Sequence, residues 1–152
     1  MNSIIILFSY HHKNTEKIAQ KISTIIGAEI KTPDQVDPIS LSNYDLIGFG
    51  SGVYFGKLHK VLLEFADRTQ VSNKKAFIIS TSGQPGKMTK FHKALREKLQ
   101  AKGFEIVSEF NCAAFDTYGA LKIFGGINKG RPNEEDLKQA ETFAQGLKKN
   151  LV

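Results

Sequence analysis

Residues 4–19 read IIILFSYHHKNTEKIA, an apolar run that stops at Ser9, crosses a short polar segment and continues as a helical pattern. An unbroken apolar run of this kind is typical of a strand that is buried on both faces of a parallel sheet. Ile18, Ala19 and Ile22 then recur at the spacing of one helix face. The stretch therefore predicts a buried strand, a tight turn and an amphipathic helix.

The turn between this strand and this helix predicts a phosphate site. A strand-to-helix turn directs backbone N–H groups and the positive end of the helix dipole toward one point. The turn also carries hydroxyl, amide and cationic side chains, which are Ser9, His11, His12, Lys13, Asn14 and Thr15. The alternative is an ordinary connection in which Asn14 or Thr15 only caps the helix.

The length and composition predict one globular domain spanning residues 1–152. Of the 152 residues, 41% are hydrophobic and 24% are charged, which is ordinary for a soluble protein. No apolar stretch reaches membrane length, and the N-terminal run lacks the basic leader of a signal peptide. Cys112 is the only cysteine, which excludes an intrachain disulfide and argues against a zinc site built from cysteines. We therefore expect a cytoplasmic protein without a membrane span.

The net charge of +6 narrows the classes of partner. A basic balance suits nucleic acid, an acidic protein or an anionic ligand. The lysines and arginines are scattered along the chain, and aromatic residues are not interleaved with them as in single-strand binders. We therefore do not expect nucleic-acid binding.

Strands and helices alternate along the rest of the chain. Further strands are expected at Ala28–Lys31, Asp45–Gly50, Lys75–Ser80 and Phe104–Cys112. Helical patterns follow the first, third and fourth strands, and a last helix is expected after Pro132, with Asn133 and Asp136 as its start signal. This alternation predicts an α/β fold, a doubly wound parallel sheet of five strands with helices on both faces.

Ligands of such folds lie beyond the carboxyl ends of the strands, where the strand order reverses. The loops expected there, Ser51–Gly56 and Thr81–Gly86, are rich in Ser, Thr and Gly, as is the turn after the first strand. Several other ligands of this architecture are excluded. The chain lacks the acidic residues of a phosphoacceptor, a thiol near Ser9, and the glycine fingerprints of dinucleotide and nucleoside triphosphate sites.

Three segments carry a resemblance to a known family: Asn14–Ala19, Gly50–Gly56 and Ser80–Met88. With them the chain resembles the flavodoxin-like family of FMN-binding proteins over nearly its whole length. The resemblance implies the strand order 2-1-3-4-5 and a non-covalently bound FMN. It implies a phosphate held by Ser9, His11, His12, Lys13, Asn14 and Thr15, and a flavin ring held by Ser51, Gly52, Val53, Tyr54, Phe55, Gly56, Thr81, Ser82, Gly83 and Gln84.

One branch of this family is similar in two further respects. The spacing from Ser9 to Thr15 is one residue longer than in the usual phosphate motif, as in the menaquinone-dependent protoporphyrinogen-oxidase branch. The segment Tyr54–His59 also resembles that branch. Only Tyr54 and Phe55 are placed to cover the flavin ring, which leaves one face of the ring open.

The resemblance implies an electron carrier that passes electrons between partner proteins, with the cofactor supplying the chemistry and no catalytic side chain assigned. The basic balance favours acidic partners, such as a ferredoxin-like protein or a reductase. The alternative is an FMN-dependent oxidoreductase acting on a small substrate, either protoporphyrinogen-oxidase-like or a quinone-type reductase. In that case the segment from Ala113 to Pro132 would form a lid or a partner surface. A third possibility, an interaction module without cofactor, is disfavoured by the polar phosphate loop.

Three further side chains are assigned structural roles. His59 and His92 fall in predicted helices and are expected at the surface or as helix caps. Cys112 ends a buried strand and is expected to be a small core residue rather than a redox thiol.

Overall fold

The structure, a computed structural model, describes residues 1–9, 14–84, 86–114 and 130–151. Three predicted phosphate residues, His11, His12 and Lys13, therefore lie outside the described residues, as does most of the segment from Ala113 to Pro132.

The sheet has the predicted architecture. Its strands are β1 (Ser3–Phe8), β2 (Glu29–Lys31), β3 (Leu46–Tyr54), β4 (Lys57–Leu58), β5 (Lys74–Ser82) and β6 (Phe104–Ala113). Five of them lie side by side in the order β2-β1-β3-β5-β6, and every pair in this row is parallel. The short β4 pairs only with β3 and is antiparallel to it. Without β4 the order is 2-1-3-4-5, so the predicted fold class is confirmed.

Helices cover both faces of the sheet. The α-helices are α1 (Asn14–Ile26), α2 (Lys60–Asp67), α3 (Met88–Ala101) and α4 (Glu134–Leu151), and two short 3-10 helices span Pro33–Gln35 and Pro38–Asn43. α1 and α4 pack on one face, and α2 and α3 pack on the other. In the part of the chain that the structure describes, no helix is both long and apolar enough to cross a membrane.

The apolar run of β1 contributes to both cores. Ile4 and Ile6 pack in the core beneath α2 and α3, whereas Ile5 and Leu7 pack beneath α1 and α4. Successive side chains of a strand point to opposite faces, so a strand covered on both sides must be apolar at every position.

The prediction of a loop at Ser51–Gly56 is wrong, because β3 continues to Tyr54. Phe55 and Gly56 then form a two-residue turn with φ values of 53° and 78°, and the chain returns as β4. Positive φ at both central residues is the type I′ geometry, whose twist matches that of paired antiparallel strands. Leu58 belongs to β4 and is 2% exposed, so the helical pattern after the third strand begins only with α2. Local composition predicts a loop here, but strand pairing continues through it.

α4 begins where Asn133 and Asp136 predict the start of a helix. Asn133 Oδ1 accepts the backbone N–H of Asp136 at 3.1 Å, and Asp136 Oδ2 accepts the backbone N–H of Asn133 at 2.8 Å. This reciprocal pair is a capping box. Arg131 also donates to the Asp136 carboxylate, and this hydrogen bond holds the pKa of Asp136 below its usual range.

Replacing Asp136 by alanine should lower the free energy of unfolding by about 1–2 kcal/mol, because the cap is lost and Arg131 loses its partner. The measurement is urea denaturation at pH 7. The lowered pKa means that the ionised carboxylate stabilises the fold above about pH 4 and that this contribution is lost as the pH falls through the folded pKa. Glu135→Ala is the matched control, since Glu135 is an exposed acid in the same helical turn. Equal losses for the two variants would contradict the capping role.

Candidate functional site

The structure brings the ends of three neighbouring strands together at the carboxyl edge of the sheet. Phe8, the last residue of β1, pairs with Ser51 of β3, and Ser51 pairs with Ser80 of β5. The next pair, Gly52 and Thr81, is the last one between β3 and β5. The segments predicted to bind a cofactor therefore begin at one level of the sheet.

The beginning of α1 contacts β5 directly. Oγ1 of Thr15 lies 2.8 Å from Oγ1 of Thr81, and both side chains are buried. At the end of β1, Ser9 Oγ accepts the backbone N–H of Glu16 at 3.3 Å, so Ser9 satisfies one donor of the first helical turn. Asn14 is also buried at this helix end. The predicted phosphate segment is thus joined to β5 by a hydrogen bond between side chains.

Ser51 ties the end of β3 to the start of α2. Its Oγ donates to the carbonyl of Gly52 at 2.7 Å and accepts the backbone N–H of His59 at 2.9 Å. The Ser51 side chain is fully buried. This serine therefore holds the β3–β4 hairpin against the helix that follows it.

His59 caps α2, as predicted. Its Nδ1 accepts the backbone N–H of Val61 at 3.1 Å, which requires an unprotonated nitrogen. Burial and the nearby Lys60 lower the pKa of His59, consistent with that state. The imidazole stacks on Phe8 at 4.1 Å between centroids and meets the edge of Tyr54 at 4.9 Å. These three rings form one packed group beside the strand ends.

The remaining predicted ring-binding residues lie along the same edge. A Cβ at Gly52 would lie 3.3 Å from the hydroxyl of Tyr54, so a larger residue there would press on that side chain. Phe55, at the tip of the hairpin, is 86% exposed. Val53 pairs with β4 and Ser82 ends β5, while Gly83 and Gln84 begin the following loop. That Tyr54 and Phe55 cover a flavin ring stays a prediction.

The position of His92 differs from the predicted surface or helix-capping position. His92 is fully buried rather than at the surface, with Nε2 2.6 Å from Ser80 Oγ and Nδ1 2.9 Å from Glu109 Oε1. Arg96 donates to both carboxylate oxygens of Glu109, at 2.8 and 2.7 Å. The sequence contains one indication that His92 is buried, because His92, Leu95 and Leu99 share one helix face.

Burial and hydrogen bonds together set the ionisation states of His92 and Glu109. Burial lowers the pKa of His92, although the hydrogen bond to Glu109 acts in the opposite direction. Burial alone would raise the pKa of Glu109, but hydrogen bonds from Arg96 and His92 outweigh it and hold the pKa below its usual range. A neutral imidazole therefore faces an ionised carboxylate at neutral pH.

Cys112 is a core residue, as expected. It is 3% exposed, and burial raises the pKa of its thiol to about 12, so the thiol is protonated at neutral pH. Among the described residues, no group of three or more His, Cys, Asp or Glu side chains could hold a metal ion.

Comparison with known proteins gives one family. The sequence profile of the flavodoxin domain matches residues 5–121. An uncharacterised protein of Methanocaldococcus jannaschii is 53% identical over 150 residues, which cover 99% of this chain and 100% of that protein.

Solved structures share the fold at low sequence identity. Oxidised flavodoxin 1 of Bacillus cereus aligns over 100% of both chains with a TM-score of 0.73 and 22% identity. A Fusobacterium nucleatum flavodoxin bound to flavin mononucleotide aligns over 100% of both chains with a TM-score of 0.70 and 13% identity.

The contact between Thr15 and Thr81 can be tested by a double-mutant cycle. Thr15→Val or Thr81→Val alone should cost about 1–3 kcal/mol of unfolding free energy, because each leaves a buried hydroxyl without its partner. The double variant should lose less than the sum, with a coupling of about 1 kcal/mol in urea denaturation. Thr24→Val is the control, since Thr24 is exposed on α1 and bonds only to the carbonyl of Gln20. Additive losses would mean that the two hydroxyls act independently.

Proposed function

Because the chain belongs to the flavodoxin domain family, we propose that it binds FMN non-covalently at the carboxyl edge of its sheet and transfers electrons between partner proteins. The observation that carries this proposal is the convergence of the beginning of α1 with the ends of β3 and β5, linked by the hydrogen bond between Thr15 and Thr81. The Fusobacterium nucleatum flavodoxin with the same fold is bound to FMN, which supports the choice of cofactor.

The described residues fit the phosphate end of FMN. α1 starts at this edge, and the N-terminus of a 13-residue helix favours an anion through its N–H groups and its dipole. Ser9, Asn14 and Thr15 add hydroxyl and amide groups at the same helix end. We propose that they hold the phosphate together with His11, His12 and Lys13, which lie outside the described residues.

The ring end of FMN would lie between the β3–β4 hairpin and the end of β5. Bound flavin supplies the capacity to accept and donate electrons, while the protein binds and orients it. On one side we propose Ser51, Gly52, Val53, Tyr54, Phe55 and Gly56, and on the other Thr81, Ser82, Gly83 and Gln84. The packed rings of Phe8, His59 and Tyr54 support a rigid wall on the hairpin side.

The first test is flavin binding by the purified chain. It should carry the visible absorption of oxidised flavin and bind FMN more tightly than riboflavin, because the proposed site holds a terminal phosphate. Replacing both Asn14 and Thr15 by alanine should weaken FMN binding at least tenfold, corresponding to about 1.4 kcal/mol, and leave riboflavin binding nearly unchanged. Thr24→Ala on the exposed face of α1 is the control. Equal losses for the two ligands would show that this loop does not hold the phosphate.

Charge around the proposed site supports an acidic partner. Residues 46–63 and 68–96, which include the β3–β4 hairpin and most of α3, contain no Asp or Glu. Lys57 lies in β4, Lys60 begins α2 and Lys87 precedes α3, and all three are exposed. The exposed Phe55 stands at the hairpin tip beside them. A positive edge next to the cofactor would steer an acidic redox protein, such as a ferredoxin or a reductase, toward it.

Charge reversal tests this assignment. Lys57→Glu combined with Lys87→Glu should slow electron exchange with an acidic ferredoxin at least tenfold at low salt, measured by stopped-flow absorbance of the flavin. The difference should shrink in about 1 M salt, where the Debye length is only about 3 Å. Lys74→Glu combined with Lys75→Glu makes the same change in charge at the opposite end of β5 and is the matched control. Equal slowing by the two pairs would argue against docking at this edge.

A second candidate function is an FMN-dependent oxidoreductase acting on a small substrate. The spacing from Ser9 to Thr15 and the segment Tyr54–His59 favour it, because both resemble the protoporphyrinogen-oxidase branch. Catalytic turnover of a quinone or of protoporphyrinogen by the FMN-loaded protein, without any partner protein, distinguishes this candidate from a carrier.

A further inference from the structure

A polar cluster, buried at its centre and partly exposed at its edge, lies between α3 and the strand ends, on the sheet face opposite α1. It consists of Arg96 and His92 on α3, Ser80 on β5, and Glu109 and Asn111 on β6. Ser80 immediately precedes Thr81, whose side chain points to the opposite face and contacts α1. The cluster therefore reaches the end of β5 from the face that α1 does not cover.

An irregularity in β6 gives the cluster its geometry. Ala76 pairs with Ile106, but the next residue, Phe77, pairs with Ser108, so Val107 is an extra residue in β6. Beyond it, Ile78 pairs with Glu109 and Ser80 pairs with Asn111. Paired residues share a face of the sheet, and the side chain of Ile78 lies in the core beneath α2 and α3. One residue fewer would turn Glu109 and Asn111 to the other face.

The hydrogen bonds of the cluster form a chain with a defined direction. The Glu109 carboxylate is ionised and can only accept, so His92 Nδ1 must donate to it. In a neutral imidazole Nε2 is then an acceptor, and Ser80 donates its hydroxyl proton to it. Ser80 Oγ in turn accepts from Asn111 Nδ2 at 2.8 Å.

Asn111 Oδ1 does not fit this arrangement. It is buried, and no described residue provides it with a hydrogen-bond partner. A buried acceptor without a donor costs about 1–3 kcal/mol. A second arrangement is available when His92 is protonated: Nε2–H donates to Ser80 Oγ, the Ser80 hydroxyl turns to Asn111, and the Asn111 amide rotates by half a turn to present Oδ1 to it. Both N–H groups of the protonated imidazole then have an acceptor, Glu109 for Nδ1–H and Ser80 for Nε2–H.

We propose that His92 binds a proton when the flavin is reduced, and that Ser80 and Asn111 reverse their hydrogen bonds to accommodate it. The inference rests on the proposed function, because reduction adds negative charge at the edge where β5 ends. The proton comes from bulk solvent and binds Nε2, a reduced partner protein supplies the electrons to the flavin, and no other covalent bond changes. The positive imidazole then partly compensates the added negative charge, which favours the reduced state.

The charged groups around His92 make this uptake possible. From β6, the Glu109 carboxylate stabilises the imidazolium, while Arg96 on α3 itself opposes it. β5 presents the uncharged Ser80. Burial keeps the imidazole neutral before reduction, because it lowers the pKa below the ordinary value of 6.5. Additional negative charge near the imidazole, as on a reduced flavin, therefore raises the pKa of His92.

The decisive experiment follows the His92 imidazole by NMR in the FMN-bound protein, oxidised and chemically reduced. In the oxidised protein, we expect the Nδ1–H tautomer and a pKa below 6.5, and in the reduced protein a higher pKa. Potentiometry gives an independent readout, since one extra proton bound per two electrons steepens the line of potential against pH by about 30 mV per pH unit. His92→Gln should remove this extra slope, whereas Lys93→Gln, at an exposed neighbouring position, should keep it.

Asn111→Ala tests the reversal of the hydrogen bonds without changing the histidine. It removes the acceptor that the Ser80 hydroxyl needs in the second arrangement, so the pKa of His92 should fall further, in the flavin-free protein as well. Identical His92 titrations in both oxidation states, or superimposed potential lines for the wild type and His92→Gln, would overturn the proposal. Failure of the wild type to bind FMN would instead overturn the proposed function. In that case the effect of Asn111→Ala on the His92 pKa of the flavin-free protein would still show whether the hydrogen bonds reverse.

Discussion

Close pairing of β3 with β5 is the constraint on which the rest of the structure depends. Side chains of β5 lie directly over β3: a Cβ at Gly48 would come within 2.3 Å of the Phe77 ring, and one at Gly50 within 2.6 Å of the Ile79 side chain. Glycine at these two positions therefore lets both large residues fill the core beneath α1 and α4. The same register sets Gly52 opposite Thr81, so packing in the core fixes the level at which the site begins.

The end of β5 is held by side chains from both faces of the sheet. Thr81 bonds to Thr15 of α1 on one face, and Ser80 bonds to His92 of α3 on the other. Neighbouring strand residues point in opposite directions, so two consecutive polar residues can serve two different helices. This explains why a strand with a fully apolar middle ends in three hydroxyl residues.

Much of the fold, but less of the site, could be predicted from the sequence. Apolar runs and helical spacing are local signals, and they gave the five parallel strands and the helix starting after Asn133. The polar composition of Ser51–Tyr54 and Thr81–Ser82 predicts loops, yet both segments continue the backbone pairing of the sheet. The bond of His92 to Glu109, 17 residues away on another element, depends on an extra residue in β6, and no local pattern reports it.

The β3–β4 hairpin has a consequence for how this chain can diverge. β3 extends beyond the last residues that its parallel neighbours pair with, and β4 satisfies the backbone of Val53 and Tyr54 there. The backbone hydrogen bonds of the hairpin are thus made between β3 and β4 and do not depend on the side chain at Phe55. Because both turn residues need a positive φ, changes at the tip that preserve the sheet are confined to residues that tolerate this backbone, such as glycine, asparagine and aspartate.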